Sequence, residues 1–552
     1  MTNKNQLNKE TLKKSLMRGF LYATLFTIIF QSCAKKEDIK PVVSSEISTT
    51  SEIKKERIPS SFKNEKIEAE INLVGGKLDS LLLNEYKETL EKEDKQKLFS
   101  PKYTNKEENK EYSYLDFGIS GQNINLPTSN STWKVIKETE NSKTISWANK
   151  EGIKIEKTFS LADDYLIEVS QTISNNTGKD ISVFPYAIIS KKIDTENKNL
   201  RAFSGLIDFS SRSLEKERFE NIKDEPFSRV IQEDKTWSGF SDNYFATAFL
   251  MGSNEAAKKQ EVKAFLSREN EEEKSETYQL DYTYETLTVK AGESFTVTDK
   301  VFTGPKERSI LKDYSEKYGA QNLDLLIDYG FFAFFSKIFF SVIEFLFNNT
   351  GSIGWAVILF AIFIKVLLHP ISKKSMDSMA KMKKLGPEMK KIQTYHKNDK
   401  MRMQMEMAAL YKKHQINPLS GCLPLLVQLP IFLALYKVLM NYITLRHHEF
   451  LWIHDLSSFD QTSIFNLFGL LPFTPWTWLP NLGILPILMG VTMFFQMKMQ
   501  GQTATMTPEQ AKVMNIMPFI MILLFASLPA GLILYYVVYN VLTIADQAVE
   551  IK

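Results

Sequence analysis

Lys365 is the side chain most indicative of chemistry, because it lies inside the apolar segment 355–368. A charge within a membrane-spanning helix is costly, so a lysine at such a position is a candidate functional residue by default. The alternative is snorkelling, since Lys373 follows eight positions later, about 12 Å along a helix, and the Lys365 ammonium could reach the headgroup region. Polar residues in the neighbouring apolar segments bear on this choice.

Six polar side chains interrupt the other apolar segments, namely Gln428, Thr492, Gln496, Tyr536, Asn540 and Thr543. The last three recur at i, i+4 and i+7, and the second and third are one helical turn apart, so each group would share a helical face. With Lys365 they could line one polar cavity within the membrane, although polar side chains also join helices to one another. The sequence shows no obvious intramembrane Asp or Glu partner for Lys365. This favours a cavity that offers its positive charge to a passing molecule.

The composition places these residues in a membrane protein with a large polar domain. A chain of 552 residues has room for two or three domains. Its 68 basic and 65 acidic residues nearly balance, but apolar segments cluster after about residue 325, whereas residues 34–310 are polar. Only Cys33 and Cys422 are present, which excludes a disulfide framework. The cysteines therefore do not indicate the redox compartment.

Residues 1–33 have the pattern of a signal or signal-anchor segment. Basic residues precede the apolar run 19–30, and this order would place the following domain outside the cytoplasm. Cys33 also resembles a lipoprotein cleavage site, at which the cysteine is lipidated and the preceding segment is removed. The alternative is an ordinary residue at the end of an uncleaved anchor. Residues 34–62, rich in Lys, Glu, Ser and Thr, are predicted to be a flexible tether.

Residues 63–310 show the alternation that is typical of an all-β domain. Period-two runs such as 153–159 and 166–173 are separated by Gly, Asn and Asp, which predicts an antiparallel β sandwich. The domain contains no histidine, and none of its carboxylates is distinguished from ordinary surface charge. We therefore expect no catalytic site, metal site or cofactor in it.

The C-terminal part is predicted to be a helical membrane core. Residues 325–347 contain eight phenylalanines among polar residues, so we expect segment 323–350 to be an amphipathic helix in the outer interface. Five candidate spans follow within 353–552, at 353–369, 422–441, 482–497, 513–528 and 530–547. Some are shorter than the usual crossing length, which implies a thinned bilayer or tilted packing. The apolar loop 457–482 is expected to lie in the outer interface.

The loop between the first two spans predicts a helical hairpin at 371–416, with its two helices separated near 395–399. Twelve Lys or Arg between Lys373 and His414 place it in the cytoplasm by the positive-inside rule. Its eight methionines suit varied apolar clients and its lysines suit anionic lipid or ribosomal RNA. Alternatively, the methionines form the hairpin's own core. The candidate contacts for client or ribosome are Lys383, Lys384, Lys390, Lys391, Met401, Arg402, Met403 and Met405.

The string 417–436, NPLSGCLPLLVQLPIFLALY, closely resembles the signature of the YidC family of membrane protein insertases. Supporting strings lie at 237–248, 323–330, 451–456, 485–495 and 529–536. The resemblance implies a bacterial inner-membrane protein with an N-terminal anchor, a periplasmic all-β supersandwich domain and a polytopic α-helical membrane core of five helices.

The same resemblance implies residue roles. In the family, a cation of the first core helix lies in a hydrophilic groove open to cytoplasm and lipid, and Lys365 occupies the matching position. Gln428, Tyr535 and Tyr536 fall on substrate-facing helices by the same match, and the hairpin is the first contact for incoming chains. The family position is commonly arginine, whereas lysine keeps the charge but lacks the planar donor fork. The chain ends at Lys552 without a basic tail, so ribosome contact would fall on the hairpin.

The expected function is therefore insertion and folding of integral membrane proteins, and of lipoproteins, without enzymatic chemistry or a cofactor. The expected partners are nascent or released clients, the secretion channel, the ribosome and anionic lipids, with no small-molecule substrate. One alternative is a secondary transporter or channel that binds a solute at Lys365, although no inverted repeat is visible. Another is a membrane-anchored carbohydrate-active enzyme, although the β domain lacks histidine.

Overall fold

A computed structural model describes most of the chain from residue 57 onward. The described residues are 57–90, 93–101, 103–104, 107–108, 112–194, 203–231, 235–251, 260–270, 274–396, 399–414, 423–469, 471, 482–500 and 508–551. The predicted anchor 1–33, Cys33 and most of the predicted tether lie outside these residues. The first described strand begins at Pro59, shortly before the predicted domain boundary at residue 63.

Two large antiparallel sheets form the N-terminal domain, which we call the β domain. The first sheet contains β1 (Pro59–Lys63), β2 (Ile67–Asn72), β3 (Lys77–Lys87), β4 (Lys95–Phe99), β7 (Ser113–Gly121), β12 (Ile181–Asp194), β15 (Phe227–Ile231), β18 (Gln260–Asn270), β19 (Ser275–Thr283) and β20 (Leu287–Val289). The second contains β8 (Lys134–Glu138), β9 (Ser142–Ala148), β10 (Ile153–Asp163), β11 (Leu166–Asn175), β13 (Gly205–Ser210), β14 (Ser213–Arg218), β16 (Thr236–Ser241), β17 (Phe245–Met251) and β21 (Ser294–Pro305). A separate short pair is formed by β5 (Tyr103–Thr104) and β6 (Glu107–Glu108).

The strand order shows that many neighbours in the sheets are distant in the chain. The first sheet runs β1-β2-β3-β7-β12-β19-β18-β15, with β4 beside β3 and β20 beside β12. The second runs β14-β13-β16-β17-β21-β11-β10-β9-β8. In β21, residues 294–302 pair with β11, and residues 300–305 pair with β17 on the other side.

Alternating apolar side chains bury the facing sides of the two sheets. Along β10, Ile153, Ile155 and Phe159 are buried and alternate with more exposed residues. Phe117 of the first sheet packs edge-on against Phe159 and Phe249 of the second, with ring centres 6.2 and 6.4 Å apart. Burial of each such side chain contributes about 1.5–3 kcal/mol. The predicted antiparallel β sandwich is confirmed.

Ten helices accompany and follow the sheets within the described ranges: α1 (Phe219–Asp224), α2 (Arg308–Lys317), α3 (Ala333–Thr350), α4 (Ile353–Lys384), α5 (Gly386–Tyr395), α6 (Lys400–Lys413), α7 (Leu423–Asn441), α8 (Ile484–Gln500), α9 (Pro508–Phe525) and α10 (Ala530–Ile551). Short 3-10 turns occur at Leu323–Leu326, Ile443–Leu445 and Ile464–Gly469. We call the part from α3 onward the helical region.

Each predicted span overlaps one of the helices α4, α7, α8, α9 and α10. Among the described residues, Ile353–Met382 and Ala530–Val549 are long and apolar enough to cross a membrane, and Val427–Asn441, Ile484–Met499 and Lys512–Phe525 are shorter apolar helices. The helix α4 continues well beyond the predicted end at 369, through Pro370, into the hairpin. The hairpin first bends at Leu385, the residue before α5.

The helix α3 is shorter than the predicted amphipathic segment 323–350, because residues 323–326 form a separate 3-10 turn. One face is buried: Phe339 packs on Phe360 of α4 and Phe340 on Tyr442, with ring centres 5.2 and 5.0 Å apart. The opposite face exposes Phe334 and Phe345, which are 72% and 66% accessible. A helix with one packed and one open apolar face is suited to a membrane interface.

Two charged side chains join the β domain to the helical region. Asp328 lies 3.0 Å from Lys216 of β14 and 2.7 Å from Lys437 of α7. Burial would raise the pKa of Asp328, but these two lysines hold it below its usual range. Arg446, which follows the turn after α7, donates to the carbonyl oxygens of Lys87 and Glu88 at 2.8 and 2.9 Å.

Candidate functional site

Lys365 is enclosed between α4 and α10. The residue is 6% exposed, although it belongs to the apolar run of α4. Its Nζ donates a hydrogen bond to Thr543 Oγ1 at 3.0 Å and lies 3.0 Å from Asp546 Oδ2. The same Nζ lies 5.4 Å from the ring centre of Tyr539, within cation–π range. All three partners belong to α10, so the lysine links the first helix of the core to the last.

The Lys365 side chain does not point in the direction that the snorkelling alternative requires. Its amine points across to α10 rather than along α4 toward Lys373, which is exposed two turns further on. A snorkelling lysine keeps its charged end in water, whereas the side chain of Lys365 is only 7% exposed. The charge is therefore held inside the helical region.

The expectation that Lys365 has no acidic partner is wrong. Asp546 supplies a carboxylate from the last turns of α10, and His369 Nδ1 lies 3.7 Å from the same Oδ2 atom. The signal for this residue is present in the sequence, because Asp546 follows Thr543 by three positions and so continues the same helical face. It was missed because it lies at the polar end of the apolar run.

Four of the other predicted groove residues form polar contacts at successive levels of α10. Asn540 donates to Thr492 of α8 at 3.2 Å, and Gln428 of α7 lies 3.5 Å from the hydroxyl of Tyr535. Gln496 of α8 is half-buried. From Tyr535 to Asp546 the axial distance is about 16 Å, at 1.5 Å per residue. The polar contacts thus form a series along α10, each with a different neighbouring helix.

Aromatic side chains surround the end of this series opposite to Lys365. Tyr535 is fully buried and stacks on Tyr539, with ring centres 5.9 Å apart. Tyr536 packs against Phe432 of α7 and Phe525 of α9, each with ring centres 5.5 Å apart. The two predicted tyrosines therefore pack in the centre of the helical region.

Apolar side chains of α4 immediately beside Lys365 point outward from the helical region and are exposed. Val366 and Leu367 are 68% and 59% exposed, and Phe363 is 45% exposed. In water such a face would be costly, whereas in a bilayer it would meet lipid tails. A buried charge and a lipid-compatible surface thus lie within one turn of α4.

The hairpin divides its methionines between a core and the surface. Leu385, Met389 and Leu410 are buried together, and Met382, Ile392, Met407 and Tyr411 pack on them. Met401 and Met405 are 74% and 61% exposed, and Met403 is half-buried.

The predicted contact residues Lys384, Lys390, Lys391 and Arg402 are exposed, while Lys383 lies in α4. His396 and Glu406 join α5 to α6, with Nε2 and Oε1 3.0 Å apart.

Two family models match consecutive parts of the chain. The model described as the YidC periplasmic domain matches residues 60–342. The model described as the 60Kd inner membrane protein matches residues 345–552.

Curated relatives match along nearly their whole length. The membrane protein insertase YidC of Rickettsia canadensis (strain McKiel) is 34% identical over 515 residues, which are 92% of this chain and 89% of that relative. The protein of the same name from Rickettsia typhi (strain ATCC VR-144 / Wilmington) is 34% identical, over 88% of this chain and 86% of that relative. The crystal structure of an active YidC insertase aligns at 19% identity and a TM-score of 0.38, over 90% of this chain and 93% of that one. From the family models and the curated relatives it follows that the chain belongs to the YidC family of membrane protein insertases.

Proposed function

We propose that this protein inserts integral membrane proteins, and lipoproteins, into the inner membrane and assists their folding, alone or with the general secretion channel. The observation that carries the proposal is the position of Lys365. It is a buried cation between α4 and α10, one residue away from side chains that face outward from the helical region. Such a site can receive the polar flank of a client while the client's apolar segment stays in contact with lipid.

The proposed mechanism lowers a solvation barrier and involves no covalent chemistry. A polar flank that enters hydrocarbon loses its hydrogen bonds to water, at a cost of several kcal/mol per unpaired group. Thr543 and Asn540 lie on α10 with the other partners of Lys365, and Gln428 reaches α10 from α7 through Tyr535. They would replace part of the lost hydration, while the apolar segment moves along the open face of α4.

The hairpin is proposed to make the first contact with clients and with the ribosome. Met401 and Met405 offer flexible apolar side chains at the surface of α6. The exposed cations of α5 and α6 suit ribosomal RNA and anionic lipid headgroups. In the proposed orientation the hairpin lies in the cytoplasm, as the positive-inside rule requires, and the β domain lies in the periplasm.

The test is insertion of a small single-span client with an acidic translocated flank into liposomes that contain the purified protein. We expect insertion to depend on the protein and to fall about fivefold to tenfold in Lys365→Ala, a loss of about 1–1.4 kcal/mol of attraction. A neutral-flanked client should be less affected. Lys312→Ala, which removes an exposed lysine from α2 of the β domain, is the charge-matched control.

Two results would count against the proposal in different ways. Equal losses for acidic and neutral clients in Lys365→Ala would show that the charge does not attract the flank. If wild-type liposomes insert no more client than empty liposomes, the protein is not an autonomous insertase, and the assay must be repeated with the secretion channel present.

A further inference from the structure

The two halves of the Lys365–Asp546 ion pair differ in accessibility. The side chain of Lys365 is 7% exposed, whereas that of Asp546 is 31% exposed. The Oδ2 atom that faces the lysine is itself buried, so the exposed part is the remainder of the carboxylate and the Cβ. The lysine is therefore enclosed, and the aspartate forms the open edge of the pair.

This pairing neutralises the charge that the proposed function assigns to the groove. Nζ and Oδ2 are 3.0 Å apart, the distance of a direct charge-assisted contact. A client carboxylate that approaches Lys365 would meet a second carboxylate already in place, and two like charges in one confined site repel each other. Acidic clients must therefore displace Asp546 or share the lysine with it.

We propose that Asp546 is an internal counter-ion that competes with acidic client residues for Lys365, and so determines how strongly the groove favours acidic flanks. The inference rests on the proposed function and concerns the class of client. Without a client, Asp546 lowers the cost of burying the ammonium. When an acidic flank enters, the open side of Asp546 lets its carboxylate turn toward water while the client carboxylate binds Nζ. Asp546 is thus a specificity-determining residue.

Three substitutions separate the two charges of the pair. Asp546→Asn keeps the size of the side chain but removes the competitor, so insertion of an acidic-flanked client relative to a neutral one should rise about twofold to fivefold. Lys365→Gln leaves Asp546 as a lone carboxylate, so the acidic client should insert less well than the neutral one. The double variant removes both charges, and the two clients should insert equally.

The measurement uses the full chain in liposomes with three single-span clients that differ only in the translocated flank, which carries two Asp, two Asn or two Lys. The basic flank should lose efficiency in Asp546→Asn, because the only change is the loss of a negative charge. Asp546→Glu keeps the carboxylate and should behave like the wild type. Asp313→Asn removes an exposed carboxylate from α2 of the β domain and serves as the charge-matched control.

The inference is overturned if Asp546→Asn leaves the acidic-to-neutral ratio at its wild-type value. It is also overturned if all three clients decline together in Asp546→Asn and recover in Asp546→Glu, because Asp546 would then only hold α4 against α10. If Asp546→Asn fails to fold, as judged by its thermal unfolding, the comparison of Lys365→Gln with the double variant carries the test. Failure of the proposed function looks different: wild-type protein, both alone and together with the secretion channel, would insert none of the three clients above the background without it, and the inference would fall with it.

Discussion

Asp299 is a buried carboxyl group in the core of the β domain. It lies on β21 beside Val169 of β11, is 5% exposed, and accepts a hydrogen bond from the hydroxyl of Tyr284. Burial raises its pKa to about 7, and the hydrogen bond from Tyr284 opposes this shift only in part. A carboxyl group with a raised pKa in the fold makes stability depend on pH near neutrality.

The β domain should lose stability as the pH rises from about 4 to about 7. In this window Asp299 is protonated in the fold but ionised in the unfolded chain, so unfolding releases a proton. Asp299→Asn should abolish this loss, with a gain at pH 8 of at most about 4 kcal/mol over the wild type. Thermal unfolding of the purified chain, followed by circular dichroism at pH 5 and pH 8, measures the difference.

The control for this experiment is Asp313→Asn, because Asp313 is exposed on α2. We expect its unfolding midpoint to follow that of the wild type at both pH values. An equal offset between Asp299→Asn and wild type at pH 5 and pH 8 would contradict the assignment.

At the scale of elements, the hairpin is held together by a small core of its own. The helices α5 and α6 meet through Met389 and Leu410, which are 1% and 8% exposed. Asp399 begins α6 by accepting a hydrogen bond from the backbone N–H of Arg402 at 3.1 Å. With so few buried side chains, the hairpin should open more readily than the rest of the helical region.

Met389→Ala should loosen the hairpin without unfolding the remainder of the chain. Truncation of a buried methionine costs about 2–5 kcal/mol, which is large for a cluster of this size. We expect faster hydrogen exchange throughout α5 and α6 and unchanged exchange in α10. Met405→Ala, at an exposed position of α6, is the matched control. Unchanged exchange in Met389→Ala would mean that the pair is held by other contacts.

At the scale of the whole molecule, Arg446 anchors the helical region to the β domain. Besides the carbonyl oxygens of Lys87 and Glu88, it donates to Gln96 Oε1 at 2.8 Å. Its guanidinium also lies 5.4 Å from the ring centre of Phe245. Burial lowers its pKa, while nearby phenol and carboxylate groups oppose the shift. The position of the β domain therefore depends on a loop of the helical region.

Arg446→Ala should increase the mobility of the β domain relative to the helical region. The substitution removes three hydrogen bonds from a charged donor, each worth about 1.5–3 kcal/mol before relaxation. Spin labels placed on the β domain and on α4 should show a broader distance distribution in the variant. Arg212→Ala, at an exposed arginine of the β domain, should leave the distribution unchanged. A narrow distribution in Arg446→Ala would place the anchor at Asp328 and its two lysines instead.

Several features of the fold depend on local order and could be predicted from the sequence. Alternation with period two predicted the β sandwich, because successive side chains of a strand face opposite sides. Apolar runs located α4, α7, α8, α9 and α10, and the break near 395–399 separated α5 from α6. The end of α4 was placed too early, because apolarity stops near residue 369 while helical hydrogen bonding continues to Lys384.

The contacts between side chains that are distant in the chain depend on the tertiary structure. Lys365 and Thr543 are 178 positions apart, and a periodicity within one helix does not reveal which face of another helix it meets. For the same reason the sequence could not separate the buried Met389 from the exposed Met405. The charge at Lys365 was readable because a lone lysine in an apolar run is conspicuous. The neutralisation of this charge by Asp546 could not be predicted from the sequence, because the ion pair forms only when two distant helices pack together.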